Sequence, residues 1–290
     1  MTTKAPDPRE VSVGSRVVGI YEYGDPNGTP VMVLHGTPAC GAGFAWADEP
    51  ARERGQRLIA PDRPGVGWSS PIDGYAVGDY PAQLGALADT LGIDRFAVWG
   101  YSGGGPYAAA CAALLGERLT AAAVSAGMGQ IGVWAKTDEF EKTDRQMLGL
   151  AVTRPALARV MLGITARLAR MSPKTAMKSF EKQLNDTDRA LVPEMGTPAE
   201  AMALFTGAFL RGAGGVVADY AALARPWGVA VEDITIPVAV FHGDADTMVP
   251  LRHSEELVAR TPNARLTVWP AAGHLGTVAH VGEILDALRT

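Results

Sequence analysis

Ser102 lies in Gly100-Tyr101-Ser102-Gly103-Gly104, directly after the apolar run Phe96-Ala97-Val98-Trp99 and before an alanine-rich helical pattern over 106–115. A strand, a sharp turn and a helix with serine at the apex is the sequence form of a nucleophile elbow. The glycines have a physical role there. Serine at the apex takes a strained backbone conformation, and Gly100 and Gly104 remove side chains where strand and helix nearly touch. Gly103 leaves the N–H after the serine open to a substrate oxygen. Taken alone, the pattern also fits a glycine-rich strand-to-helix turn with an incidental serine.

A serine hydroxyl needs a base within hydrogen-bond reach, and the base needs an acid to fix its tautomer. Histidine is suited to the first task, and the chain has five: His35, His242, His253, His274 and His280. His274 follows a predicted strand in a short glycine-containing loop near the C-terminus, and it is the expected base. His253 and His280 fall on predicted helices, and His35 and His242 read as histidines that hold their loops. For the acid, Asp244 and Asp246 follow the same predicted strand. Asp246 sits in Gly-x-x-Asp-x-x-Val-Pro ahead of the next helix, whereas Asp244 reads as a turn former bonded to its own backbone. The expected triad is Ser102, Asp246 and His274.

These residues need a scaffold that delivers strand ends to one place. Residues 31–34, 58–60, 96–99, 119–124, 236–241 and 266–269 are short apolar runs, as in strands buried on both faces of a sheet. Helical patterns over 44–55, 80–92, 106–115 and 251–260, with a last helix over 277–288, alternate with them, which implies right-handed crossovers and a mostly parallel sheet. The turn Gly24-Asp25-Pro26-Asn27-Gly28 reads as a hairpin between the opening strands. His35-Gly36-Thr37-Pro38 ends an early central strand, where a second oxyanion donor, the Thr37 N–H, joins that of Gly103. Asp62 and Arg63 open a proline- and glycine-rich loop and read either as its anchoring pair or as a solvated one.

Residues 128–228 differ in character. They carry no strand candidate, only helical stretches broken by Pro155, Pro173, Pro193, Pro198 and Pro226, and they hold seven of the ten methionines. A helical insertion over the strand ends, where ligands bind in open α/β sheets, accounts for this. The methionines suit a pocket for a nonpolar group and equally a helical core.

A chain of 290 residues, 47% hydrophobic and 20% charged, can bury a sizeable core. A net charge of −5 argues against a nucleic-acid or anionic-membrane surface. The polar residues 1–10 lack a secretory apolar segment, and no run approaches the roughly 20 apolar residues of a membrane span. Cys40 and Cys111 read as free thiols in a reducing cytoplasm, and no metal-ligand spacing is present.

Across nearly its whole length the chain resembles the α/β-hydrolase fold superfamily, through His-Gly-Thr-Pro, Asp-Arg-Pro-Gly-Val-Gly-Trp-Ser, Gly-Tyr-Ser-Gly-Gly, Gly-Asp-Ala-Asp-Thr-Met-Val-Pro and Gly-His-Leu. The resemblance implies an α/β fold with a doubly wound, mostly parallel sheet of about eight strands. It implies a core domain over 1–127 and 229–290, with a helical cap domain over 128–228 inserted before the acid-bearing strand. It carries over Ser102 as nucleophile, Asp246 and His274 as its partners, and the Thr37 and Gly103 N–H groups as the oxyanion hole. Relatives that open epoxides or displace halide use an aspartate nucleophile, where this chain has Ser102. Prolyl aminopeptidases of similar build carry His-Gly-Gly-Pro-Gly, where this chain has His-Gly-Thr-Pro-Ala. The expected activity is hydrolysis of a carboxylic ester or lactone of a small, largely apolar substrate, without cofactor or metal, in a monomer or homodimer. The alternatives are carbon–carbon bond hydrolysis, cofactor-free perhydrolysis, or a non-catalytic ligand-binding role.

Overall fold

The computed structural model of the chain describes residues 5–195 and 197–289. Residues 1–4 of the polar N-terminal stretch, Gly196 of the insertion and the final Thr290 lie outside the described residues. Eight strands form one sheet: β1 (Arg9–Val13), β2 (Arg16–Gly24), β3 (Thr29–Leu34), β4 (Gln56–Pro61), β5 (Phe96–Tyr101), β6 (Leu119–Ser125), β7 (Val238–Gly243) and β8 (Ala264–Trp269). Their order is β1-β2-β4-β3-β5-β6-β7-β8. The pairs β1/β2 and β2/β4 are antiparallel and the rest parallel.

Side chains on a strand alternate between faces, and here both faces are buried. Met32, Leu34, Ile59, Val98 and Val124 join one core; Val31, Val33, Leu58, Ala97, Trp99 and Ala123 join the other. That is why these strands read as continuous apolar runs instead of alternating ones. Among the helices that cover the sheet, those before β6 are α1 (Asp48–Glu53), α2 (Tyr80–Thr90) and α3 (Gly105–Leu114).

Two local readings are corrected. The turn at 24–28 is not a hairpin, because β4 lies between β2 and β3 and takes β2 as its antiparallel neighbour. The hairpin of this region joins β1 and β2 through Gly14 and Ser15. The strand at 9–13 leaves no apolar run in the sequence because it is an edge strand of only five residues with charged and polar positions.

Between β6 and β7 the chain forms α4 (Lys142–Thr153), α5 (Pro155–Met171), α6 (Pro173–Glu181), α7 (Asp186–Leu191), α8 (Pro198–Gly207) and α9 (Gly214–Leu223). Pro155, Pro173 and Pro198 are the first residues of their helices. Proline's missing N–H is harmless at that position and its fixed φ suits a helix start. After β7 come α10 (Arg252–Arg260), α11 (Gly276–Ala279) and α12 (Val281–Ala287). His280 splits the last helical stretch in two. Among the described residues no helix is long and apolar enough to cross a membrane.

Candidate active site

The strand β5 delivers Ser102 to a turn whose geometry leaves little choice of neighbours. Ser102 has φ +54°, a left-handed conformation that costs a non-glycine residue on the order of 1 kcal/mol or more. A Cβ on Gly100 would sit 2.3 Å from the Gly104 carbonyl oxygen, and one on Gly104 would sit 2.0 Å from that of Leu34. Both obstacles are backbone, so neither can move aside.

The three residues expected to act together do meet. His274 Nε2 lies 3.0 Å from Ser102 Oγ, and His274 Nδ1 lies 2.8 Å from Asp246 Oδ2. One tautomer serves both contacts: Nδ1–H donates to the carboxylate and Nε2 accepts from the hydroxyl. Asp246 is in turn held by its other oxygen, which accepts the N–H groups of Met248 (2.8 Å) and Val249 (2.9 Å). Burial alone would raise the Asp246 pKa; His274 and His242 outweigh it and hold the carboxyl far below its usual range. Burial alone would lower the His274 pKa, and Asp246, with smaller help from Asp188 and Asp144, brings it above the ordinary value.

The other histidines hold structure. His35 Nδ1 donates to Gly36 O (2.8 Å) and its Nε2 accepts from the Arg63 N–H (3.2 Å). Burial and the adjacent Arg63 push its pKa down to about 3, which leaves it neutral as that bonding requires. His242 spans Ser254 and the Val249 carbonyl, fixing the acid-bearing loop. Asp244 departs from its sequence reading: it accepts from the Ala271 N–H across the gap (2.7 Å), so it joins the acid loop to the base loop.

Asp62 and Arg63 do not anchor the loop as a pair. Asp62 accepts the N–H groups of Gly41 (2.8 Å) and Trp68 (3.0 Å), whereas Arg63 reaches into the insertion and pairs with Asp219 on α9 (2.7 Å), both side chains almost wholly buried. Thr37 and Gly103 are neighbours: a Cβ on Gly103 would lie 3.1 Å from the Thr37 nitrogen. The Thr37 N–H has no acceptor among the described residues.

Sequence reasoning missed several residues that organise the site. Asp188 on α7 accepts the N–H groups of His274 (2.7 Å) and Leu275 (2.9 Å), one on each carboxylate oxygen. Burial outweighs these donors and leaves the Asp188 pKa above the usual carboxylate value. Asn185 caps α7 through the Asp188 N–H (2.7 Å) and donates to the Ala245 carbonyl of the acid loop (2.7 Å). Tyr101 lies against the His274 ring, centroids 5.2 Å apart, and donates its hydroxyl to the His274 carbonyl (3.3 Å). One signal was available for Asp219, a lone carboxylate in the apolar stretch Gly-Gly-Val-Val-Ala-Asp-Tyr-Ala-Ala-Leu, because a charge among apolar residues calls for a partner. Among the described residues no cluster of His, Cys, Asp or Glu could hold a metal.

A neutral imidazole between a hydroxyl and a buried carboxylate can accept the serine proton and return it to a leaving group. The Thr37 N–H, which meets no acceptor among the described residues, lies beside it next to the Gly103 backbone, and donors so placed can hold a developing oxyanion.

Comparison with known proteins fits this geometry. The family model described as alpha/beta hydrolase fold matches residues 29–280. The chain is 27% identical over 276 residues to a 2-hydroxymuconate semialdehyde hydrolase of Pseudomonas putida, covering 94% of this chain and 89% of the relative. It is 27% identical over 260 residues to a non-heme haloperoxidase of Rhodococcus erythropolis, covering 86% of each. Among solved structures, a thermophilic esterase from Thermogutta terrifontis superposes with a TM-score of 0.67 at 21% identity, covering 98% of this chain and 97% of the other. That last likeness is one of fold.

Proposed function

The chain belongs to the α/β-hydrolase fold family, and on that premise we propose that it is a serine hydrolase of carboxylic esters or lactones that works through an acyl-enzyme. The observation that carries the proposal is the continuous chain Ser102 Oγ, His274 Nε2, His274 Nδ1, Asp246 Oδ2, with links of 3.0 and 2.8 Å, at a serine held in a left-handed turn.

In this reading Ser102 Oγ attacks the carbonyl carbon while its proton passes to His274 Nε2. Asp246 stabilises the imidazolium through Nδ1–H, and the N–H groups of Thr37 and Gly103 hold the tetrahedral oxyanion. Collapse expels the alcohol, which takes the proton from His274. Water then repeats the sequence on the acyl-enzyme, with His274 again accepting and returning a proton. Each oxyanion donor lowers the barrier by roughly 3–4 kcal/mol.

Residues 128–228 act as a cap domain that shapes the substrate pocket over a core of 1–127 and 229–290, and the helices α4–α9 between β6 and β7 support this. The buried, unpaired thiols of Cys40 and Cys111 support a reducing, cytoplasmic location. The substrate is a small molecule that needs no resident cofactor.

A second reading keeps the triad and changes the bond: carbon–carbon hydrolysis of a β-diketone-like substrate, or perhydrolysis. The relatives named as a semialdehyde hydrolase and a haloperoxidase favour it. A panel of p-nitrophenyl esters, lactones and β-diketones, with and without peroxide, tests both. Ester turnover above diketone turnover, abolished in Ser102→Ala, supports the esterase reading; ester turnover that persists in Ser102→Ala overturns it.

A further inference from the structure

The Arg63 guanidinium uses its donors in an unusual way. Nη1 donates to the His35 carbonyl, and Nη2 donates to the Gly36 carbonyl (3.0 Å) and to Thr37 Oγ1 (2.8 Å). The remaining contacts, from Nε (2.8 Å) and Nη2 (2.7 Å), hold both oxygens of Asp219. The His35 ring adds a second donor to the Gly36 carbonyl at 2.8 Å.

The Gly36 carbonyl and the Thr37 N–H belong to one peptide plane. In a trans peptide the two point in opposite directions. Holding the carbonyl against the guanidinium therefore turns the Thr37 N–H the other way, and the elbow borders that nitrogen: a Cβ on Gly103 would sit 3.1 Å from it. A Cβ on Gly36 would sit 3.2 Å from Ser102 Cβ and 3.6 Å from Ser102 Oγ. Were this plane to flip, the oxyanion site would face a carbonyl oxygen in place of a donor.

Asp219 holds the guanidinium in that pose. It accepts from Thr37 Oγ1 (2.5 Å), Tyr107 (2.7 Å) and Tyr75 (3.1 Å) as well as from Arg63. Arg63 also stacks over the Tyr107 ring, 4.7 Å from its centroid. A buried pair with every lone pair occupied has a single low-energy arrangement. Asp219 stands on α9, in the insertion, 156 residues from Arg63.

We propose that Arg63 and Asp219 are positioning residues that set the Thr37 N–H into the oxyanion hole, so that the helical insertion itself completes the catalytic apparatus. The proposal rests on the serine-hydrolase reading above, and the experiment separates the two.

Fluorophosphonate labelling of the parent protein comes first. If Ser102 is not labelled, the serine-hydrolase reading falls and the proposal falls with it. If Ser102 is labelled, Arg63→Lys and Asp219→Asn are compared with the parent on p-nitrophenyl butyrate, with kcat expressed per titrated active site. Lysine keeps the charge opposite Asp219 but cannot hold both carbonyls. We expect kcat per site to fall roughly 10- to 100-fold, short of the 10²–10³-fold that loss of a whole donor brings. KM should stay within about threefold and the acidic midpoint of the kcat–pH profile should not move, because the triad is untouched.

A purely structural pair would behave otherwise: melting temperature and the number of titratable sites would drop while kcat per site stayed at the parent value. That result overturns the proposal. If neither variant folds, Thr37→Val decides. It removes the hydroxyl that ties the loop to Asp219 and retains the N–H, and we expect kcat per site and the fluorophosphonate labelling rate to fall together, three- to tenfold. Parent values for both overturn the proposal.

Discussion

The substitution Asp188→Asn tests how far α7 governs the base. In the parent each Asp188 oxygen accepts one backbone N–H, from His274 and from Leu275. Asparagine keeps the shape and one acceptor. Its amide group necessarily turns a donor toward one of the two N–H groups, and the surviving bond loses its charge assistance. Hydrogen bonds to charged groups contribute about 1.5–3 kcal/mol and neutral ones about 0.5–1.5. One lost and one weakened bond cost about 2.5–4.5 kcal/mol; relief of the burial that raises the Asp188 pKa offsets part of this, leaving a net loss of roughly 1–3 kcal/mol, or about 2–12 °C in melting temperature for a domain of this size. There is a second signature. Asp188 is among the charges that raise the His274 pKa, so neutralising it lowers that pKa. The base must be unprotonated to act, and the acidic limb of kcat/KM therefore moves to lower pH. Urea unfolding and a kcat/KM–pH profile read the two effects separately. Stability within about 0.5 kcal/mol of the parent, with the acidic limb in place, would refute the claim that α7 positions His274.

Other consequences can be checked with equally simple assays. Asp246→Asn should lower kcat by roughly 10³–10⁴-fold through loss of tautomer control and shift the acidic limb downward. Its stability effect has a definite sign: a carboxylate with a depressed folded pKa stabilises the fold above its unfolded pKa of about 3.9, and the gain disappears as pH falls toward the folded value. Urea midpoints between about pH 5 and pH 2 should therefore decline less steeply in the variant than in the parent; equal slopes would contradict this. Gly104→Ala forces a Cβ to 2.0 Å from a carbonyl oxygen, whereas one on Gly43 meets nothing within 4 Å. Gly104→Ala should fail to give a cooperative melt near the parent temperature, and Gly43→Ala should stay within about 1 kcal/mol; similar melts for the two would count against the elbow packing. Burial raises the pKa of both thiols, with Asp62 adding to the effect at Cys40. Neither should react with iodoacetamide at about pH 8 until denaturant is added. Rapid alkylation of the native protein would show that one of them is accessible.

The hydrogen-bonded set of Ser102, His274 and Asp246 was legible because the chemistry proposed for it demands particular side-chain types, and apolar runs marked the strands that end beside them. Gly-x-Ser-x-Gly, the loop of Asp246 and the loop of His274 each follow such a run. Pairing between elements was harder to read. Gly24 to Gly28 has the composition of a hairpin turn, yet β4 offers β2 a better neighbour than β3 does, and nothing local encodes that choice. Asp62 and Arg63 invited pairing by adjacency. The two follow directly on the end of β4 and their side chains diverge, Arg63 toward α9 and Asp62 toward Gly41 and Trp68. Asp188 and Asn185 lie in a polar stretch of the kind that normally covers a solvated helix start. Their grip on the base and acid loops comes entirely from tertiary placement.

The grips of α7 and α9 bear on how such a protein can be re-engineered. Changing specificity by grafting a foreign segment between β6 and β7 treats that segment as a detachable module. In this chain it carries Asn185, Asp188 and Asp219, whose partners are the loops of Ala245, His274 and Thr37. A graft without equivalents of these residues leaves two buried backbone N–H groups without acceptors and the buried Arg63 cation without its counter-ion, each a cost of a kcal/mol or more. New specificity here is more safely sought by changing side chains within the native segment, with those three positions kept.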